Sequence, residues 1–485
     1  MKKRYRTPGV YVEEISMFPK SIAQVETAIP AFIGYTEIAL RDSTSLLNIP
    51  TRISSMIEFE EYFGRAFPSK FEIVPAVPSD HVPVNIDGQM KSLLFLPNQQ
   101  AFLYYSVKAF FSNGGSSCYI VSVGSYGGQA NLQFNKSDLL NGLSVLESEE
   151  TPSVLAIPDA VLLEDEAFEV YQAMLAQAKS RFRFAILDIP NGFLPVNTSG
   201  DDCISNFRVK IGNQNLAYGA AYYPWLNSNL SQGRDFEILN HIPLHDLQEI
   251  LPEEFAKTFL SSSPSPSGEY LHQALKSLSP TYHELLRVIQ EKLGLLPPSG
   301  FLAGAYALVD NSRGVWKAPA NISLNSVKNT SFSISNSIQE DLNIHPSGKS
   351  INAIREFPGK GVLVWGARTL AGNDPEWRYV PVRRTVSMIE HSIRNGLQYV
   401  VFEPNEPKTW IRVKSECTNF LFGIWRSGGF VGAKPEEAFF VKVGLGETMT
   451  SQDILDNNLI VEIGMALVRP AEFMFLRIKL KTGSN

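Results

Sequence analysis

The sequence predicts an α/β protein organised around a parallel sheet, on three observations. Val154-Leu155-Ala156-Ile157 is an unbroken apolar run that ends in Pro158-Asp159. Phe168, Tyr171, Leu175 and Ala178 then recur at the spacing of one helical face. Phe184-Ala185-Ile186-Leu187-Asp188 is a second unbroken apolar run. Strands covered on both faces lose the usual alternation, and a helix between two of them is the crossover that joins parallel neighbours. The 485 residues suffice for roughly three folding units of about 150 residues, or for two with a large insertion.

Composition narrows the function before any motif does. Hydrophobic residues make up 44%, enough for a sizeable core. Charged residues make up only 19%, against an average of about 25%, which leaves surface for large protein contacts. The net charge of −6 argues against a generally cationic nucleic-acid binder, so no nucleic acid is expected as a partner. No run of about 18 apolar residues exists, so no direct membrane insertion is expected. The basic start is followed by Val10-Tyr11-Val12-Glu13-Glu14 and not by an apolar segment, so no secretory signal is expected. The three cysteines, Cys118, Cys203 and Cys417, are distant and odd in number, which fits a reducing compartment without a disulfide framework.

Along the chain, Val10 and Val12 alternate with Tyr11 and Glu13 as in an extended strand, and Ala28-Ile29-Pro30-Ala31-Phe32-Ile33-Gly34-Tyr35 is a second short strand. A helix over 101–111 should stop at Asn113-Gly114-Gly115. Cys118 to Val123 is a buried-type strand. Residues 226–298 change character around the Ser/Pro-rich stretch 261–268 and read as an insertion with helical pieces near 246–260 and 269–294. Residues 323–337 read as a β-excursion. Val362-Leu363-Val364-Trp365 is a strand. Residues 382–397 form an amphipathic helix with Val382, Val386, Ile389, Ile393 and Leu397 on one stripe, and with Arg383, Arg384, His391 and Arg394 opposite. Two strands, 459–468 and 472–481, close the chain, the last with Met474, Leu476, Ile478 and Leu480 on one face.

The motifs that would carry chemistry are incomplete. His345-Pro346-Ser347-Gly348-Lys349-Ser350 ends like a phosphate loop, but Asn343 stands where its first glycine belongs. Gly444-Leu445-Gly446 lacks the third glycine of a dinucleotide loop, Met449 taking that place. His241 and His245 have ligand spacing only on a helix, and Pro243 lies between them. Asp159 and Asp188 at strand ends leave a hydrolase open, yet no Gly-x-Ser-x-Gly elbow accompanies them, and a turn or capping role fits Asp188. No catalytic, cofactor-binding or metal-binding residue is assigned, and no cofactor is expected. What remains are two strand-like ends with unpaired edges, which pair either with the chain's own sheet or with a designated partner.

At this point the residues resemble a known family. Thr7-Pro8-Gly9-Val10-Tyr11-Val12-Glu13-Glu14 looks like the opening of contractile tail sheath proteins, found in phages and phage-like injection machines. The resemblance continues through Ala28 to Gly34, Phe110 to Gly115, Tyr218 to Trp225, Arg313-Gly314-Val315-Trp316-Lys317-Ala318-Pro319-Ala320-Asn321, Gly359 to Leu370, Arg383-Arg384, Ala438 to Lys442 and Arg469-Pro470-Ala471-Glu472-Phe473. Packing within the fold is the expected role of Trp316 and Trp365. Stretches 40–100 and 226–296 depart from the pattern and read as surface insertions.

The resemblance implies a mixed α/β fold with this organisation: an extended arm over 1–20, a sheath core domain over 21–40 and 356–472, a variable insertion over 41–100, a central subtilisin-like α/β domain over 101–355 with its own insertion at 226–297, and a strand arm over 473–485. It implies six-fold rings stacked helically around an inner tube, with baseplate and terminator or cap proteins as further partners and no enzymatic activity. The subunit would be assembled in the cytoplasm into a virion tail or phage tail-like particle, intracellular or released. The arms would add strands to a neighbour's sheet through Val10, Tyr11, Val12 and Glu13 at one end and Phe473, Phe475, Leu476, Ile478 and Leu480 at the other. Each backbone hydrogen bond of such an arm contributes about 1 kcal/mol, so several links per subunit are needed. Arg383, Arg384 and Arg394 are the candidates for facing an acidic tube. The alternatives are a hydrolase that kept the fold and a non-contractile shell protein.

Overall fold

The computed structural model describes residues 22–77, 82–127, 133–196, 202–231, 241–261, 268–468 and, as backbone, 473–481. The chain divides into two compact units, Glu26–Met388 and Met1–Val25 with Ile389–Asn485.

The larger unit is built on a nine-stranded sheet. Six central strands are parallel, in the spatial order Cys118–Ser125, Pro30–Thr36, Val154–Ala156, Phe184–Asp188, Gly219–Tyr223 and Asn352–Phe357. Antiparallel strands close the edges: Thr51–Ile53 on one side, Gly361–Val364 and Ile322–Ser323 on the other. The predicted strand–helix–strand unit is present, with Ala167–Ser180 between two adjacent parallel strands.

Side-chain alternation sends the sheet's residues to two cores. Phe32, Ile120, Phe184, Ile186 and Tyr222 meet helices Leu103–Ser112 and Ser299–Arg313. Ala31, Ile33, Val121, Leu155 and Leu187 meet helices Lys136–Val145, Ala167–Ser180 and Cys203–Lys210 on the other face. Helices on both faces explain why the strands read as continuous apolar runs.

Three expectations about organisation need correction. Pro30–Thr36 lies inside the large sheet, buried along its whole length and paired on both sides, so it is not part of a separate domain with the C-terminal portion. Residues 352–364 close an edge of that same sheet, and the boundaries fall at 25/26 and 388/389 instead of 40 and 356. The 41–100 stretch is not one insertion. Thr51–Ile53 is a sheet strand, and Phe59 and Phe63 of helix Met56–Phe63 belong to the central core.

What is left of the two variable stretches folds together. Strands Phe71–Pro75, Val84–Ile86 and Gln89–Phe95 form a three-stranded antiparallel sheet. Helices Leu244–Ile250, Glu254–Leu260, Gly268–Leu278 and Pro280–Gly294 supply the rest. Phe71, Val84, Ile86 and Leu93 from the first stretch share a separate apolar core with Leu247, Leu251, Leu285 and Ile289 from the second. Residues 323–337 hold the expected strand, Val327–Thr330, but helix Asn336–Asn343 follows it, capped by Ser335.

In the smaller unit, helix Pro407–Arg426 buries Val413, Cys417, Leu421 and Ile424. An antiparallel sheet runs in the order Phe439–Lys442, Asn458–Ala466, Phe473–Lys481. Helix Val380–Gly396 carries the chain from one unit into the other, and its stripe Val382, Val386, Ile389, Ile393 and Leu397 is buried as the spacing requires.

Candidate functional site

A parallel α/β sheet offers a ligand crevice outside the carboxyl ends of its strands, where the winding reverses. Here the first parallel strand, Pro30–Thr36, lies between the second and the third, so that point falls beside Asp159. The crevice is filled. Asp159 Oδ1 accepts from the Phe102 amide at 2.6 Å and Oδ2 from the Tyr35 amide at 3.4 Å. A Cβ placed on Gly34 would lie 2.5 Å from Asp159 Oδ2 and 3.2 Å from the Leu103 side chain. One strand over, Asp188 Oδ1 accepts from the Ser299 amide at 2.8 Å.

Both carboxylates are therefore helix caps. Helices Leu103–Ser112 and Ser299–Arg313 begin after Phe102 and Pro298, neither of which has a side chain that bonds the orphan amides. Strand-end aspartates distant in sequence supply the missing acceptors. Burial pushes the Asp159 carboxyl up to about 6, against the pull of the Phe102, Tyr35 and Leu103 amides. Burial pushes Asp188 up to about 7, against its bonds to Ser299. Neither has a histidine partner among the described residues, so the arrangement supplies helix ends and no activated nucleophile.

The other incomplete motifs are structural as well. Lys349 donates its Nζ to the Arg208 carbonyl and is buried, and a strand, not a helix, follows the glycine turn. The His241 Nδ1 lies 2.7 Å from the Ser69 carbonyl, inside the small core, while His245 is exposed. No group of three metal-ligating side chains occurs among the described residues. No described helix is long and apolar enough to cross a membrane.

The arginines expected on an outer face separate into two kinds. Arg383 and Arg384 are each only 4% exposed, so they do not present charge to a tube. Arg384 pairs bidentately with Asp310, at 2.9 and 2.6 Å, donates to the Thr27 carbonyl at 2.9 Å, and lies over the Tyr306 ring at 4.6 Å. The Asp310 side chain is itself only 1% exposed. Tyr306 shares a 2.6 Å hydroxyl contact with Tyr222 of the sheet. Arg383 is sandwiched by the rings of Trp377 and Tyr218, at 4.1 and 4.7 Å. The helix is covered on both sides over its first half, and only Arg394 is exposed. The sequence hint was weak: the second face of 380–389 carries no acid, and small Thr385 and Ser387 flank the arginines. Trp365 departs from full burial too, being 37% exposed and packed against Phe357 with the ring centroids 4.5 Å apart and the planes tilted by 49°.

Of the arm residues, Val10, Tyr11, Val12 and Glu13 lie outside the described residues. Phe473–Lys481 pairs along its length with Asn458–Ala466, setting Leu476, Ile478 and Leu480 opposite Ile463, Val461 and Leu459, and Phe473 and Phe475 opposite Ala466 and Gly464. The sheet's outer edges are Phe439–Lys442 and Phe473–Lys481.

Comparison with known proteins places this geometry. A family model described as the phage tail sheath C-terminal domain matches residues 372–481. The tail sheath protein of Vibrio phage KVP40 is 25% identical over 183 residues, 36% of this chain, and the match spans about a quarter, 25%, of that relative's length. A chain of the helical sheath of the anti-feeding prophage in its contracted state is 29% identical, covering 98% of this chain and 99% of that one, with a TM-score of 0.59. A chain in the six-fold symmetrised baseplate of the anti-feeding prophage is 28% identical, covering 98% and 99%, also with a TM-score of 0.59.

Proposed function

Because the chain is homologous to contractile sheath proteins of phage tails and of phage tail-like injection systems, we propose that it is a structural sheath subunit. It polymerises as helically stacked hexameric rings around an inner tube and contracts to drive that tube through a target envelope. Its partners are further copies of itself, the tube, a baseplate and a terminator or cap protein. It is assembled in the cytoplasm as part of a virion tail or phage tail-like particle. The doubly wound sheet is the part called subtilisin-like, a label for topology alone.

The observation that carries this reading is the three-stranded sheet of residues 439–481, inside the matched region, whose two outer edges have no pairing strand among the described residues. Such edges are templates for an added strand. The segment 1–20 of a neighbouring copy is the proposed addition. The closing strand Phe473–Lys481 makes the same bonds at home or in exchange, and head-to-tail exchange propagates into a helix instead of closing a dimer. Energy then resides in the packing of a metastable polymer, and domains slide and rotate on compliant tethers.

Deleting residues 1–15 should leave the monomer folded and abolish ordered sheaths in electron micrographs; normal sheaths from that deletion would overturn the reading. Of the three arginines, Arg394 is the exposed one and is the candidate that faces the tube. Arg394→Glu should weaken co-sedimentation with the tube while sheath polymerisation stays intact.

A further inference from the structure

Within the larger unit, Leu295–Leu296, Leu226–Ser228 and Val327–Thr330 form a short antiparallel sheet in that order, directly after helix Pro280–Gly294. Its register sets Leu295, Asn227 and Asn329 in one row. Asn227 Nδ2 donates to Asn329 Oδ1 at 2.7 Å, which leaves each amide its other polar atom. The helix ends this close to the sheet because residue 294 is glycine: a Cβ there would lie 2.6 Å from the Ser228 carbonyl oxygen. The row lines a cleft of about 410 Å³, within the range of about 300–1,000 Å³ usual for small-molecule sites. Ser228 is only 2% exposed, and the hydroxyls of Ser228 and Ser331, both lining the cleft, have no hydrogen-bond partner among the described residues. Buried hydroxyls are normally paired, so two orphans in one cleft point to a ligand that satisfies them. Phe193 adds an aromatic wall, braced on Trp225 with the ring centroids 5.3 Å apart. Trp225 is fixed in turn by its Nε1 bond to the Ile189 carbonyl at 2.9 Å.

We propose that this cleft binds one unit of an acidic saccharide, a hexose ring that carries a carboxylate. A sugar ring has apolar C–H faces, which suit Phe193 and Leu295. Its hydroxyls both donate and accept, as do the two serine hydroxyls, while the asparagine pair offers one further acceptor and one further donor. Charge selects the acid. The carboxylate of Glu291 already accepts from Arg287 at 2.6 Å, whereas Lys328 is exposed at the rim. The ammonium of Lys328 therefore meets the sugar carboxylate in a charge-assisted hydrogen bond. The site lies on the side chains of one chain and does not depend on the polymeric role proposed above.

The test is calorimetric titration of the full chain with D-galacturonate, D-galactose, succinate and tetragalacturonate. Galacturonate should bind at millimolar concentration or below, and more tightly than galactose or succinate. Lys328→Glu should weaken galacturonate about tenfold and leave galactose unchanged, because only the acid meets the ammonium. Ser228→Ala should weaken both sugars; it removes an orphan hydroxyl from a buried position, so the fold tolerates it. Galacturonate binding alone assigns a free sugar acid, and binding of tetragalacturonate as well assigns a polysaccharide; either supports the site. No heat with galacturonate means that the serines bond water only, and overturns the proposal. So does succinate binding as tightly as galacturonate, or galacturonate binding that neither variant changes.

Discussion

Asp188 sits at the end of a buried strand and bonds the first amide of helix Ser299–Arg313. Replacing it with alanine removes a cap, which costs about 0.5–2 kcal/mol and lowers the denaturation midpoint. Its pH behaviour has a definite sign. With carboxyls pushed up to about 6 at Asp159 and about 7 at Asp188, against about 3.9 when unfolded, the folded chain holds protons that the unfolded chain releases. Their contribution is complete below about pH 4 and is lost as pH rises through about 7. The urea midpoint should therefore fall between pH 5 and pH 8, and the double variant Asp159→Asn, Asp188→Asn should flatten that fall. Arg384 gives a sharper contrast. Arg384→Met leaves Asp310 charged, buried and unpaired, and should cost roughly 3–5 kcal/mol. Adding Asp310→Leu should recover most of the loss in the same urea titration.

Helices Leu103–Ser112 and Ser299–Arg313 approach until their backbones nearly touch. A Cβ on Gly300 would lie 2.4 Å from the Ser106 carbonyl oxygen, and one on Gly304 would lie 2.7 Å from that of Phe110. Small residues let these helices share one face of the sheet while both caps reach their strand ends. Gly300→Ala forces them apart and should cost about 1–3 kcal/mol, read as a lowered melting temperature. Gly423, on the exposed side of helix Pro407–Arg426, meets nothing within 4 Å, and alanine there should leave the melting temperature unchanged or raised by up to about 1 kcal/mol of stability. Strand Phe473–Lys481 belongs to this scale too. It pairs with Asn458–Ala466 over its full length, and the proposed exchange would keep those bonds and change only which copy supplies the partner strand.

The whole molecule carries an accessory subdomain whose core is shared between two distant stretches. Deleting 241–294 alone should expose Phe71, Val84, Ile86 and Leu93 and cause aggregation in size-exclusion chromatography. Removing 69–97 together with 232–294, each bridged by a short linker, should leave a soluble remainder, since no residue of those two stretches belongs to either core of the large sheet.

Period and apolar run length in the sequence by themselves determined the α/β class, the strand–helix–strand unit around Asp159, the stripe of helix 380–396 and the two closing strands, because each is a local pattern of burial. The resemblance to sheath proteins was legible for the same reason: its motifs are contiguous. Only the tertiary structure decided that Pro30–Thr36 is a central strand, that the two variable stretches share a core, and that Arg383 and Arg384 are buried. A charge on a helix reads as exposed unless its partner is known, and Asp310 lies 74 residues from Arg384. The caps of helices 103–112 and 299–313 were hidden likewise, because their acceptors lie 57 and 111 residues away, one in the turn after Val154–Ala156 and one at the end of Phe184–Asp188. Local chemistry fixes what an element is; which polar groups it conceals depends on what the fold brings against it.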